Sequence, residues 1–187
     1  MKETNIIVRI WKNHSPEIFL GTFALLAGSI ATYYFYMYDL ILFMTDQFAH
    51  LNFSRLITDS MTPGISQIGF WPPLLHILMA PFVAYLPFYQ TGLAGAFVLV
   101  PCLAVGTVFL YKLTLLLTNK KLLSVISALS LPLNPYVLYY AATPMMEVLF
   151  LTNSLLIVYF FIRWLHSEIN GYDPFIIFCY DRNTFSV

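Results

Sequence analysis

Residues 44–76 read MTDQFAHLNFSRLITDSMTPGISQIGFWPPLLH and form a polar segment between strongly apolar stretches of the chain. Charged side chains are rare elsewhere, because only 10% of all residues are charged. In such a chain a cluster of ionisable groups marks a candidate functional region. The ionisable side chains of the polar segment are those of Asp46, His50, Arg55, Asp59 and His76.

The composition indicates the class of protein. Of the 187 residues, 59% are hydrophobic and 18% are aromatic. This exceeds what the core of a soluble domain needs, and runs of about 20 apolar residues are long enough to cross a bilayer. We therefore predict an all-α integral membrane protein. The formal net charge is +0, which lacks the basic excess typical of nucleic-acid binding, and a nucleic-acid partner is not expected.

About four transmembrane helices are predicted within a module of residues 16–165. They cover about residues 16–38, 92–117, 122–140 and 145–165. Basic residues occur in segment 1–15 and again at Lys120 and Lys121, and short loops rich in Lys and Arg stay in the cytoplasm. We therefore expect a multi-pass protein of the cell membrane with a cytoplasmic N-terminus and with loop 39–91 outside.

Two interfacial helices are predicted in this outer loop. Segment 48–57 mixes apolar and polar residues at helical spacing, which is typical of a helix that lies along a membrane surface. Segment 73–89 is more apolar, but Pro81 and Pro87 interrupt it. Counting this segment as a span would place Lys120 outside, so a half-buried interfacial helix is favoured.

The remaining segments carry little chemistry. Residues 166–187 form a short tail, whose apolar run 175–180 is too short to span a bilayer. We expect this tail to be the truncated end of a longer protein. Cys102 and Cys179 have no spacing typical of metal or redox sites, and both are interpreted as ordinary thiols.

Within the polar segment two pairs of side chains have i, i+4 spacing and share a helix face. Asp46 and His50 could therefore act on one small site. Asp46 could serve as a general base, because partial desolvation raises the basicity of a carboxylate at the membrane edge. The alternative is an interfacial helix with its polar side in water. Arg55 could bind the phosphate of a lipid carrier or could pair only with Asp59.

Trp71 and His76 follow in the same segment. Trp71 is suited to stacking on a sugar ring or an isoprenoid, or to anchoring the chain at the interface. His76 is expected near the aqueous face and offers an imidazole to a substrate.

A second group of candidate residues precedes the last span. Asn134 is expected at the outer end of the third span. Glu147 is an ionisable group in a membrane helix and so a candidate functional residue. It could equally lie in a capped first turn, with Thr143 as N-cap and Pro144 at N1. Because the topology places Asp46 and Glu147 on the same outer side, the two carboxylates could form one site.

Several short motifs of the chain occur together in a known superfamily. They are DxxxHLNxxR (46–55), TPG (62–64), QxG (67–69), WPPLL (71–75) and NPxxLYxxxTPMxE (134–147). In combination they resemble the glycosyltransferase C superfamily, and the resemblance covers about residues 39–165. These polytopic enzymes use polyprenyl-phosphate sugars and include protein O-mannosyltransferases and lipid A aminoarabinose transferases.

The resemblance implies a function and assigns roles. The chain would transfer a sugar from a polyprenyl-phosphate donor in the membrane to a hydroxyl of a lipid, glycan or protein on the outer face. Asp46 would be the catalytic base, Glu147 would shape the substrate pocket, and His50 and Arg55 would contact sugar or phosphate. The superfamily has further spans, so the chain would be an N-terminal portion or would need a second polypeptide.

The residues also allow other interpretations. A non-catalytic membrane subunit or a transporter fragment is the alternative, although the charges are expected at the outer ends of spans rather than along a path through the membrane. The cofactor is open. Asp46, His50 and Glu147 could bind a divalent ion, but their spacing does not require one, and no metal site is predicted.

Overall fold

The computed structural model describes the backbone of residues 4–170 and the side chains of residues 15–166. Every regular element in this part of the chain is helical, as expected for an all-α protein. The elements are α1 (Thr4–Met37), α2 (Thr45–Leu56), a 3₁₀ turn (Ile65–Ile68), α3 (Pro73–Val83), α4 (Leu86–Thr91), α5 (Leu93–Thr118), α6 (Lys121–Leu129), α7 (Pro135–Ala142) and α8 (Glu147–Asn170).

Three helices of the described chain are long and apolar enough to cross a membrane. They are Ser15–Met37 within α1, Leu93–Thr118 (α5) and Glu147–His166 within α8. Their positions agree with three of the predicted spans, and they indicate a membrane-embedded protein. Of the three, α5 is the most buried, because the other helices pack around it.

The segment predicted as the third span is two short helices rather than one. Helix α6 ends at Leu129 and α7 begins at Pro135. A proline disfavours helical geometry in the residue before it, and the side-chain oxygen of Asn134 caps α7 by accepting hydrogen bonds from the backbone N–H groups of Tyr136 (2.9 Å) and Val137 (3.4 Å). Asn134 therefore lies at a break between two helices, not at the outer end of one.

Contacts at the two ends of this segment give its direction. Near the end of α5, the hydroxyl of Thr114 donates to that of Ser127 (3.1 Å). Near the start of α5, Pro144 follows α7 and lies so close to Gly95 that a Cβ there would be 2.5 Å from the Pro144 Cα. Together α6 and α7 therefore run antiparallel to α5 along its length.

Helices α1 and α8 also run alongside α5. Gly28 and Gly21 of α1 face Val100 and Val108 in that order, so α1 is antiparallel to α5. The hydroxyl of Thr152 in α8 donates to the Cys102 carbonyl oxygen (2.9 Å). Further along, Tyr159 contacts Phe109 with 5.2 Å between ring centroids, so α8 is parallel to α5.

Because successive long segments run in opposite directions, the polar residues lie at the two ends of the helical bundle. The polar segment and the start of α8 lie at one end, which we call the site end. Lys120 and Lys121 lie at the opposite end, with the C-terminal part of α8. The arrangement agrees with the predicted alternation of loops.

Helices α2 and α3 cover the site end of α5. Leu51 of α2 and Leu75, Met79 and Val83 of α3 belong to one buried cluster that also contains Leu99 of α5. The opposite face of α3 is exposed at Leu74, Ile77 and Leu78. The predicted helix 73–89 is interrupted, because α3 ends at Val83 and the short α4 begins at Leu86, before Pro87.

Gly92 connects the segment that contains α2, α3 and α4 to α5. Its φ of 77° lies in the left-handed region, and a Cβ there would be 2.7 Å from side-chain atoms of Ile41 and Leu42. Only glycine satisfies both conditions without strain. The side chains of residues 1–14 and 167–187 lie outside the described ones. What the sequence indicates for these two segments, including Cys179, therefore stays a prediction.

Candidate functional site

Helix α2 carries the first candidate residues and has a well-formed start. The side-chain oxygen of Gln47 accepts a hydrogen bond from the backbone N–H of Met44 (2.9 Å), which satisfies a donor that the helix itself leaves unpaired. Asp46 lies in the first turn and Arg55 in the last, so both charges complement the helix dipole. The sequence thus favours a helix with its negative charge at the N-terminal end and its positive charge at the C-terminal end.

Gln47 also connects α2 to α7. Its side chain is 0% exposed, and its amide nitrogen donates to the Tyr139 hydroxyl (2.9 Å). That hydroxyl lies 3.4 Å from the Leu40 carbonyl oxygen, to which it donates. Sequence reasoning missed this link. An amide at the third helical position is a local signal for the cap, but no local signal identifies a partner so far along the chain.

His50 and His76 form a buried pair between α2 and α3. Their side chains are 2% and 0% exposed, and Nδ1 of His50 lies 3.0 Å from Nε2 of His76. A carbonyl oxygen can only accept, so Nδ1–H of His76 donates to Pro72 O (3.0 Å). His76, which was expected near the aqueous face, is instead fully buried, because α3 turns this position toward α2.

Aromatic rings surround the histidine pair. The rings of Trp71 and His50 make a T-shaped contact with 4.8 Å between centroids, and those of Phe53 and His76 make one at 6.1 Å. Phe70 stacks on Trp71 at 5.1 Å and is 88% exposed. Trp71 is half-buried and lies between a buried imidazole and an exposed ring. Sugar stacking by Trp71 stays a prediction.

This environment keeps both imidazoles neutral at pH 7. Burial and, to a smaller extent, the neighbouring His76 lower the pKa of His50 to about 4, against the opposite effect of the Asp46 carboxylate. Burial also lowers the pKa of His76, against the effect of its hydrogen bond to the Pro72 carbonyl. Removing a charged group from water is unfavourable, so the neutral forms are preferred.

Asp46 is exposed and lies one helical turn before His50. Its charge acts on the His50 ring, which agrees with the predicted shared face of the two residues. An exposed carboxylate beside a neutral imidazole can accept a proton or a hydrogen bond from a ligand.

Arg55 and Asp59 form an ion pair within one turn of chain, with 2.9 Å between Nε and Oδ2. The guanidinium also lies over the Tyr89 ring, with 4.6 Å from Cζ to the centroid. The structural pairing left open by the sequence is therefore present. It uses only Nε, and within the described residues the terminal nitrogens of Arg55 have no hydrogen-bond partner. Phosphate binding by these nitrogens stays a prediction.

Glu147 begins α8, but not in the predicted cap. Thr143 follows α7, and its hydroxyl donates backwards to the Tyr139 carbonyl (3.0 Å). Thr143 is thus not the N-cap of α8, because the Met145 N–H donates to the Thr143 carbonyl oxygen (2.7 Å) in a turn and the helix starts only at Glu147. Glu147 is exposed at the site end, and within the described chain no hydrogen bond or ion pair joins it to Asp46. A site shared by both stays a prediction.

The site end therefore offers an exposed carboxylate, a neutral imidazole pair and a partly paired guanidinium. Among the described residues, no group of three or more His, Cys, Asp and Glu side chains is arranged to hold a metal ion. Compared with protein-family models, curated protein sequences and solved structures, the chain matches none of them.

Proposed function

We propose that this chain belongs to a membrane glycosyltransferase that moves a sugar from a polyprenyl-phosphate donor to a hydroxyl of a lipid, glycan or protein. One observation carries the proposal. A helix beside the membrane-spanning bundle holds an exposed carboxylate, Asp46, near one end and a guanidinium, Arg55, near the other, and the terminal nitrogens of Arg55 have no partner among the residues described. These are the base and the phosphate ligand that the reaction needs.

The proposed step is a displacement at the anomeric carbon. Asp46 takes the proton of the acceptor hydroxyl, whose oxygen forms a bond to this carbon. The bond from the carbon to the phosphate oxygen breaks, and its electron pair leaves with the polyprenyl phosphate. The free nitrogens of Arg55 stabilise the additional negative charge on that phosphate, and the sugar changes its anomeric configuration.

The apolar surroundings of the site suit a lipid donor. Large exposed hydrophobic side chains lie on the loop between α2 and α3 and on the outer face of α3. They are Met61, Ile65, Phe70, Leu74, Ile77 and Leu78. Exposed apolar side chains beside charged groups are typical of a site for a membrane or lipid ligand. The isoprenoid would lie on this surface with its phosphate near Arg55.

Sugar transfer in membranes tests the proposal. Membranes of cells that produce the chain would be supplied with radiolabelled polyprenyl-phosphate sugars, and label in lipid, glycan and protein would be counted. Asp46→Asn should lower transfer by a factor of about 100 or more, since it removes the general base. Asp39→Asn is the matched control, because it changes another exposed carboxylate at the same end of the bundle, just after α1. Equal transfer by the wild type and Asp46→Asn would contradict the role of Asp46.

The break between α6 and α7 is the observation that favours the alternative, a transporter fragment. Transporters bind ions at discontinuous helices near the middle of the membrane. Here residues 130–134 contain no ionisable side chain, and Asn134 already caps α7. Glycosyl transfer thus has more support. Uptake of labelled sugars into proteoliposomes, unaffected by Asp46→Asn, would favour transport.

A further inference from the structure

The buried pair His50 and His76 takes no part in the step proposed above. Both imidazoles are shielded from water. Among the described residues His50 makes one hydrogen bond, to His76, and His76 makes two, to His50 and to the Pro72 carbonyl oxygen. Burying polar groups is unfavourable unless they are hydrogen-bonded. The arrangement of their protons determines what the pair presents to a ligand.

The geometry allows a single arrangement of the two protons. His76 must carry its proton on Nδ1, because that nitrogen faces the Pro72 carbonyl oxygen at 3.0 Å. In a neutral ring Nε2 of His76 then accepts, so the proton between the rings belongs to Nδ1 of His50. Nε2 of His50 is left as an acceptor, and it has no hydrogen-bond partner among the described residues.

We propose that Nε2 of His50 accepts a hydrogen bond from a sugar hydroxyl, and that His76 acts as a positioning residue by fixing the His50 tautomer. This inference rests on the proposed function for the reaction but not for the tautomers. An imidazole free in water prefers its proton on Nε2 and would present a donor there. The bond to His76 reverses this and makes the position selective for a donor such as a hydroxyl.

The helical spacing between Asp46 and His50 indicates the class of ligand. Residues four apart on a helix have Cβ atoms about 5–6 Å from each other, and hydroxyl hydrogen bonds are about 2.7–2.8 Å long. Two neighbouring hydroxyls of a sugar ring span such a gap, one donating to Asp46 and the other to His50. A simple alcohol offers one proton and satisfies only one of the two groups. The site is therefore suited to a vicinal diol.

The aromatic rings limit how a sugar enters. The Trp71 ring packs against His50 in a T-shaped contact, and only 2% of the His50 surface stays exposed. Asp46 lies one helical turn before His50 and is exposed, so in this proposal the ligand approaches from the side of Asp46. The sugar would be that of the acceptor or that of the polyprenyl-phosphate donor, and the two have the same hydroxyl chemistry.

Nitrogen NMR tests the tautomers without an activity assay. With ¹⁵N-labelled histidine in the full chain in detergent at pH 7, both His50 and His76 should show protonated Nδ1 and unprotonated Nε2. His76→Phe removes the acceptor, so the His50 proton should move to Nε2. His76→Gln offers an amide oxygen in its place and should restore Nδ1–H. A wild-type His50 with its proton on Nε2 would overturn the proposal, whether or not the variants fold.

Titration with sugars tests the ligand. Methyl glycosides stand for an acceptor and a polyprenyl-phosphate sugar for the donor. At least one should shift the Nε2 resonance of His50 in a saturable way, and its deoxy analogue, which lacks one hydroxyl of the diol, should bind about tenfold more weakly. No shift with any glycoside or donor would overturn the assignment of the sugar site.

Transfer activity separates this inference from the proposed function. If transfer depends on Asp46, His76→Phe should lower it about tenfold, mainly through a higher KM for one of the two sugars, and His76→Gln should recover it. The expected tautomers and sugar shift without transfer in any membrane would overturn the function but not the pair. Transfer that depends on Asp46 but is equal in His76→Phe and the wild type would overturn the role of His76.

Discussion

The first half of α2, and its second half together with the turn that follows, each carry a pair of ionisable groups with the same spacing and very different surroundings. In the first half, His50 turns inward and bonds to His76 of another helix, while Asp46 stays exposed. In the second half, Arg55 pairs with Asp59 at the surface, within its own turn of chain. Spacing of i, i+4 thus predicts a shared face but not which face is buried. The buried half should dominate stability and the exposed half should contribute little.

The largest expected effect is that of His76→Ala. It leaves a cavity in the interface of α2 and α3 and removes the partner of His50, which together should lower the free energy of unfolding by about 3 kcal/mol. Thermal or SDS unfolding in detergent would measure it. Asp59→Ala is the control from the exposed half, and similar losses in the two variants would remove the contrast between the halves.

The pH dependence of stability should come from the buried half. His50 of the unfolded chain takes up a proton near its ordinary pKa of 6.5, whereas in the folded chain it does so only near pH 4. Between these values the unfolded state binds more protons, so stability should fall as the pH drops from about 6.5 to about 4, by up to about 3 kcal/mol. Unfolding temperatures across this range would check it.

A variant identifies the group responsible. His50→Gln cannot titrate and should flatten much of this pH dependence. The same slope in His50→Gln as in the wild type would assign the pH dependence to other groups.

Gln47→Leu tests whether the buried half of α2 is also held to α7. The change removes the amide that bonds to the Tyr139 hydroxyl and to Met44 N, and should cost about 1–3 kcal/mol of unfolding free energy. Tyr139→Phe removes only the hydroxyl. In the double variant the losses should be smaller than their sum, because both act on one bond, and strict additivity would contradict the link.

The smallest effect is expected for the exposed pair. Asp59→Asn should change the free energy of unfolding by less than about 1 kcal/mol, because water and salt screen an ion pair at the surface. The loss should shrink further at high salt. A loss as large as that of His76→Ala would mean that the exposed half is not merely a solvated surface.

The features predicted correctly from sequence are those that depend on local patterns. The three long apolar helices follow from composition, and the Arg55–Asp59 pair follows from helical spacing. The break before α7 had a local signal in Asn134-Pro135, but the apolar residues around it favoured one continuous span.

The features missed depend on packing between distant segments. The partners of His50 and of Gln47 lie on other helices, and no residue near either one in sequence identifies them. The late start of α8 has the same origin. Thr143, Pro144 and Glu147 form a good capping sequence, but Pro144 packs closely against Gly95 of α5 and the helix starts only at Glu147.

Photo-crosslinking of a polyprenyl phosphate tests most directly the claim that the site end binds a lipid-phosphate donor. The full chain in nanodiscs would be exposed to a photoreactive polyprenyl phosphate, and the labelled peptides would be mapped. We expect labels on residues 61–78, displaced by unlabelled polyprenyl phosphate and reduced in Arg55→Gln but not in Asp59→Asn. Labels spread evenly over the outer faces of α1 and α8, unaffected by competitor or by Arg55→Gln, would contradict the claim.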